Sequence, residues 1–254
     1  MNEKKTFSVI IPDPDPDTKE DEGLTLARLD LWREERAGIP EVILCSGKRP
    51  RDVIELLKAM ALEKGLAIAT KASRSCQNMA RGECLSDLKF EVYSRAKVIV
   101  ARKKDHLFLS PDGLVGILAA GTADVGVAEE AKIILKVMGC KTMVAYDVGV
   151  AGIHRIFQPL EEMRAKGVRV IIVVAGMEGA LASVIKGLVP VPVIGVPTSV
   201  GYGYGGGGQA ALMSMLQSCS PGLVVVNIDN GFGAAAAAFL IIRSPCESVD
   251  RGVS

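Results

Sequence analysis

From residue 114 onward the hydrophobic positions fall in five short unbroken runs, each followed by a small-residue turn and then by apolar positions at helical spacing. Runs without polar alternation are what strands buried on both faces require. The pattern predicts strands at 114–119, 142–146, 168–174, 192–196 and 223–228, with helices at 124–138, 153–166, 179–186, 209–218 and 233–243. Strand, tight turn and helix repeated five times predict an α/β fold whose core is a five-stranded parallel, doubly wound sheet of the flavodoxin or Rossmann type.

The first half is less regular. Residues 12–22 alternate Asp and Pro before an acidic run, so 1–22 is expected to be a flexible segment. A helix is expected over 24–36, closed by Gly38, and an amphipathic helix from Pro50 to Lys64 with Val53, Leu56, Leu57 and Met60 on one face. Strands are expected at 42–45, 66–70 and 97–101. This predicts a small N-terminal α/β domain over 23–105 and a second α/β domain over 106–254 whose turns suit a nucleotide-like ligand.

Composition narrows the function. Thirty basic and 29 acidic residues leave a net charge of +1, which offers no field for nucleic acid or an anionic membrane surface. Charges or glycines interrupt every apolar run well short of the roughly 20 residues a membrane span needs. The N-terminus has no signal-peptide apolar core, and the six cysteines have no zinc-ribbon spacing. A cytoplasmic protein with free thiols is expected, with Cys45, Cys76, Cys84, Cys140 and Cys246 buried and inert.

The turns carry the candidate chemistry, since glycines and side-chain oxygens at strand-to-helix junctions admit phosphates to helix N-termini. In the turn at 120–124, Thr122 suits a phosphate and Asp124 a ribose hydroxyl, although Asp is equally a helix cap. His154 and Arg155 follow the second strand. The forked Arg155 guanidinium suits an anion, and a surface arginine beside a hydrogen-bonded histidine fits as well. Glu178 lies between glycines at the end of the third strand, either as a reactive carboxylate or as an acid favoured by the helix N-terminus. The run 201–208 holds six glycines and two tyrosines, suited to a pyrophosphate nest or to a mobile loop. Cys219, in Gln-Ser-Cys-Ser-Pro, is open to both a packing and a nucleophilic reading.

Taken together, Asp-Val-Gly-Val-Ala-Gly-Ile-His-Arg (147–155), Ala-Gly-Met-Glu-Gly-Ala-Leu (175–181), Val-Pro-Thr-Ser-Val-Gly-Tyr-Gly (196–203), Met-Leu-Gln-Ser-Cys (215–219) and Val-Asn-Ile-Asp-Asn-Gly-Phe-Gly-Ala (226–234) closely resemble the LarB family. The segment around Asp30 to Lys48 resembles the family's N-terminal signature. The C-terminal half is similar to PurE, a carboxyaminoimidazole ribonucleotide mutase. The resemblance implies carboxylation at C5 of the nicotinate ring of nicotinic acid adenine dinucleotide, with hydrolysis of its phosphoanhydride. The products are pyridinium-3,5-biscarboxylic acid mononucleotide, the first intermediate of the nickel-pincer nucleotide cofactor of lactate racemase, and AMP. It implies Cys219 as nucleophile, Glu178 as acid/base and Asp30 as a third catalytic member. Thr122, Asp124, His154 and Arg155 align with the turns that hold ribose and phosphate. Gly121, Gly176, Met177, Thr198, Ser199, Gly201, Tyr202 and Asn230 complete the implied substrate-binding set. PurE has a histidine in the turn after the third strand, and this chain has none from Glu178 to Ser199, which speaks against the mutase reaction. A non-catalytic nucleotide-binding module is the third alternative.

No tightly bound cofactor is expected, and CO2 or bicarbonate enters as co-substrate. A hydrated Mg2+ on the phosphates would be served by Asp124, Asp147 and Asp229, though no spacing compels a metal. The helix beginning at Gln209 carries the chain roughly 15 Å from the ligand edge before Cys219. Cys219 is therefore expected to serve a neighbouring subunit's site in a homo-oligomer, an octamer by resemblance to PurE.

Overall fold

The computed structural model describes residues 7–9, 27–104 and 113–243. The expected flexible segment 1–22 lies largely outside them. The chain divides into two compact units, residues 1–107 and 108–254. Among the described residues no helix is long and apolar enough to cross a membrane.

The first unit runs β1 (Phe7–Val9), β2 (Ala27–Leu29), α1 (Arg33–Ala37), β3 (Val42–Leu44), α2 (Pro50–Lys64), β4 (Leu66–Thr70), α3 (Arg74–Gly82), β5 (Leu88–Tyr93) and β6 (Val98–Lys103). β1 and β2 form an antiparallel pair, and the other strands form a sheet in the order β3-β4-β6-β5 with only β3 and β4 parallel. Val53, Leu56, Leu57 and Met60 of α2 are buried against that sheet, as the amphipathic spacing requires. Two expectations fail here. Ala27–Leu29 is strand, and helix begins only at Arg33, because pairing with β1 claims the backbone of that segment. Cys84 is exposed: it follows the end of α3, in a stretch that belongs to no regular element. Cys45, Cys76 and Cys140 are buried, and Cys246 lies outside the described residues.

The second unit runs β7 (Leu114–Ala119), α4 (Val125–Val137), β8 (Lys141–Ala145), α5 (His154–Ala165), β9 (Val170–Ala175), α6 (Ala180–Leu188), β10 (Val193–Pro197), α7 (Gln209–Leu216), β11 (Leu223–Val225) and α8 (Gly231–Arg243). Its five strands are all parallel, in the order β11-β10-β9-β7-β8. β9 and β10 are buried along their whole length. α5, α6 and α7 cover one face through Ile156, Leu160, Leu181, Ile185 and Met215, while α4 and α8 pack on each other and on the opposite face. β11 stops three residues earlier than the apolar run suggests. Asn227 accepts a hydrogen bond from the N–H of Ile228, and Asp229 takes a left-handed conformation (φ 56°), which bends the chain off the sheet.

Because β7 leads to β8 on one side while β8 leads to β9 on the other, the strand order reverses between β7 and β9. Ligands of open α/β sheets bind at such a reversal, outside the C-terminal ends of the strands. The topology thus fixes where the crevice lies.

A charged cluster marks the edge of the first unit. Glu91 accepts hydrogen bonds from Tyr93 (2.7 Å) and from Arg102 (2.8 and 3.1 Å), with Lys89 alongside at 3.1 Å. Burial raises the Glu91 carboxyl, but these donors together outweigh it and hold the group down to about 2, against an ordinary 4.5. A depressed carboxyl stabilises the fold above its unfolded pKa and loses that contribution as pH falls through the folded value. Glu91→Gln is expected to lower the urea midpoint at pH 7 and to flatten its decline between pH 4.5 and about 2.

Candidate functional site

The turns after β7, β8 and β9 enclose a crevice of about 380 Å³ at the strand reversal. Gly121, Thr122 and Asp124 come from the first turn, Asp147 and Gly149 from the second, and Gly176, Met177 and Glu178 from the third, with Val200 reaching over from the turn after β10. The sheet's hydrogen bonding continues into these turns, since the N–H of Val148 donates to Ala119 O and that of Ala120 to Val174 O.

Asp124 sits where α4 begins, yet its side chain makes no helix-capping bond. It is 4% exposed and accepts two hydrogen bonds, from the N–H of Gly121 (2.9 Å) and from Thr198 Oγ1 (2.6 Å). Thr198 is itself fully buried at the end of β10. β9 lies between β7 and β10, so the Asp124–Thr198 bond passes beside the turn that follows β9. A Cβ on Gly176 would fall 2.6 Å from Thr198 Oγ1 and 2.4 Å from Val200 O, so only glycine fits there. The next residue, Met177, donates its N–H to Val200 O (2.9 Å) and holds φ at 50°.

Glu178 is exposed on the crevice wall and has no hydrogen-bond partner among the described residues, leaving its carboxylate available to a ligand proton. The opening turns of α4 and α6 border the same space, and helix N-termini favour anions there. Arg155, in the first turn of α5, donates to Asp147 (2.7 Å) at the rim. A Cβ on Gly152 would meet the Arg155 guanidinium at 2.5 Å, so glycine leaves room for the arginine to fold back. One Nη–H engaged with Asp147 leaves other guanidinium donors for an anion. His154 is exposed at the start of α5.

Other expected site residues stand apart from the crevice lining. Ser199 donates its N–H to Asp229, Asn230 accepts from the N–H of Gly233 in the first turn of α8, and Gly201 lies against Met177. Tyr202 is exposed. Cys219 is exposed beyond the end of α7. Its neighbours Ser218 and Ser220 hydrogen-bond Ser183 of α6, and β11 begins at Leu223 opposite Val193, the first residue of β10. The thiol is thus carried towards the N-terminal ends of the strands. Asp30 belongs to the first unit, where Arg33 and Arg36 hold its carboxylate. The hydrogen bond from Arg36 is the main cause keeping that carboxyl below its ordinary range.

Among the described residues no group of three His, Cys, Asp or Glu side chains could hold a metal ion. Asp124 is tied to Thr198, Asp147 to Arg155 and Asp229 to Ser199, so these three aspartates do not form a shared ligand set. Sequence reasoning missed the Asp124–Thr198 and Asp147–Arg155 pairs and the part played by Val200. The Gly-Ile-His-Arg spacing after Asp147 was the available signal for the second pair.

Thr198→Val keeps the side-chain volume and leaves the buried Asp124 Oδ1 without its donor, while Gly121 still serves Oδ2. A buried acceptor deprived of its partner costs about 1–3 kcal/mol. The variant is expected to melt several degrees below the parent and Thr198→Ser close to it, read by differential scanning calorimetry.

Comparison with known proteins matches both halves of the chain. Residues 114–253 fit the AIR carboxylase family, and residues 21–103 fit the LarB/PurE-like N-terminal domain. Uncharacterized protein MJ0165 of Methanocaldococcus jannaschii is 45% identical over 218 residues, covering 85% of this chain and 84% of the relative. The chain therefore belongs to the LarB family of PurE-like, carboxylase-type proteins, the family its turns and its segment around Asp30 to Lys48 resemble.

Proposed function

We propose that this protein carboxylates C5 of the nicotinate ring of nicotinic acid adenine dinucleotide and hydrolyses the phosphoanhydride, giving pyridinium-3,5-biscarboxylic acid mononucleotide and AMP. This would be the first step towards the nickel-pincer nucleotide. The observation that carries the reading is the turn after β9: an exposed carboxylate, Glu178, stands in the crevice at the strand reversal, and no histidine lies between it and Ser199. That favours proton removal by a carboxylate over the histidine chemistry of a PurE-type mutase.

The chemistry follows from the ring. A pyridinium carbon does not attack CO2, but addition of a thiolate at C6 gives a neutral dihydropyridine whose C5 is electron-rich. C5 then bonds to CO2, and its two electrons become the new C–C bond. Glu178 takes the C5 proton, the C6–S bond breaks with its electrons returning to sulfur, and the aromatic pyridinium reforms. The thiolate is Cys219. Asp30, whose carboxylate Arg33 and Arg36 hold, is the third catalytic member that family membership suggests. Arg155 and the opening turns of α4 and α6 hold the phosphates. A Mg2+ ion would arrive on those phosphates as part of the substrate.

Cys219 reaches the crevice of a second copy of the chain, in a homo-oligomer with shared sites. The eight residues of α7 lead about 12 Å away from the strand ends that form the crevice. Met213 and Leu216 of α7 and Val224 of β11, the elements on either side of Cys219 in the chain, are exposed apolar side chains that a second copy would cover.

The test is mass spectrometry of a reaction with nicotinic acid adenine dinucleotide, Mg2+ and 13C-bicarbonate. A labelled biscarboxylated mononucleotide with AMP is expected, and unchanged dinucleotide from folded oligomeric protein would return the mutase or a non-catalytic binding module. Cys219→Ala and Glu178→Gln are each expected to lower the labelled product by about 10²-fold or more. Mixed oligomers of Cys219→Ala with Glu178→Ala chains should regain activity; a complete absence of recovery would place Cys219 in its own subunit's site.

A further inference from the structure

We propose that Met177 is the platform on which the crevice seats the flat, electron-poor ring of its ligand, and that it selects for ligands carrying such a ring. This rests on the reaction proposed above.

Five described non-glycine residues have positive φ: Lys71, Lys97, Asp147, Met177 and Asp229. In the second unit the other two are aspartates, which tolerate this conformation because a short polar side chain bonds locally. Asp147 accepts from Arg155 and Asp229 from Ser199. Methionine has no such compensation. The turn itself demands a left-handed residue at 177, since Gly176 is confined by Thr198 and Val200 and the N–H of Met177 is committed to Val200 O. Glycine would meet that backbone requirement with less strain. The side chain at 177 is therefore retained against the preference of the fold.

Nor is it retained for packing. Met177 is 45% exposed, although it lines the crevice. Most of the neighbouring wall is made of small residues, Ala120, Gly121, Ala123, Gly149, Gly176 and Ala180, and Leu181 there is almost wholly buried. Met177 thus supplies the largest accessible apolar group. Its sulfur lies 3.8 Å from the point a Cβ would occupy on Gly201, so the thioether is held between the crevice and the glycine-rich loop. A polarisable sulfur binds aromatic rings favourably, most of all a ring carrying positive charge. Glu178, the next residue, brings its carboxylate to the same turn, so a ring seated on Met177 would lie beside the proposed proton acceptor.

Isothermal titration calorimetry of the full chain with nicotinic acid adenine dinucleotide and with ADP-ribose, which lacks the pyridinium ring, separates the roles. Met177→Gly is expected to weaken the dinucleotide about tenfold, while ADP-ribose changes by less than about twofold. Met177→Leu, which keeps bulk without sulfur, should fall between the parent and the glycine variant. The thermal midpoint of Met177→Gly should equal or exceed the parent's, since the strained backbone is relieved. Equal losses for both ligands, unchanged dinucleotide affinity, or a lowered midpoint would each overturn the platform. A parent chain that binds ADP-ribose but shows no affinity for the dinucleotide would overturn the proposed reaction as well.

Discussion

The crevice depends on one buried hydrogen bond, from Thr198 to Asp124. It ties the ends of β7 and β10 together across the intervening strand β9. With those ends fixed, the turn after β9 has almost no space. Gly176 is the only residue type that fits, Met177 must turn left-handed, and Glu178 is delivered to the wall. A polar pair sealed from water also resists drift, because opening it would strand a buried carboxylate. The positions of Gly176, Met177 and Glu178 thus follow from a bond that need not touch a ligand.

The second unit was legible because parallel strands buried on both faces leave a plain signature. Apolar runs such as 168–174 and 192–196 cannot be confused with alternating surface strands, and each ends in a turn of small or polar residues. The first unit has mixed parallel and antiparallel pairing, and short strands such as Ala27–Leu29 look locally helical. Only their pairing with a segment far away in sequence decides them, which propensity does not register.

The site was legible by residue type and less so by role. Asp124 was open to ribose binding or helix capping, and the structure gives it no capping bond but a buried tie to Thr198 at the crevice. Its partner lies 74 positions away, beyond the reach of any local pattern. Asp147 and Arg155, only eight positions apart, are brought together by a left-handed aspartate and by the room left at Gly152. Such backbone features follow from the packing of three turns and cannot be read from any one.

The place of Cys219 has a consequence for concentration. Each subunit carries its exposed thiol towards one end of the strands and its crevice at the other. On the shared-site reading, diluting the protein below its assembly range would disarm the chemistry while every chain stayed folded. A cell making the protein sparingly would hold inert subunits, and reactivity would rise more steeply than the amount of protein.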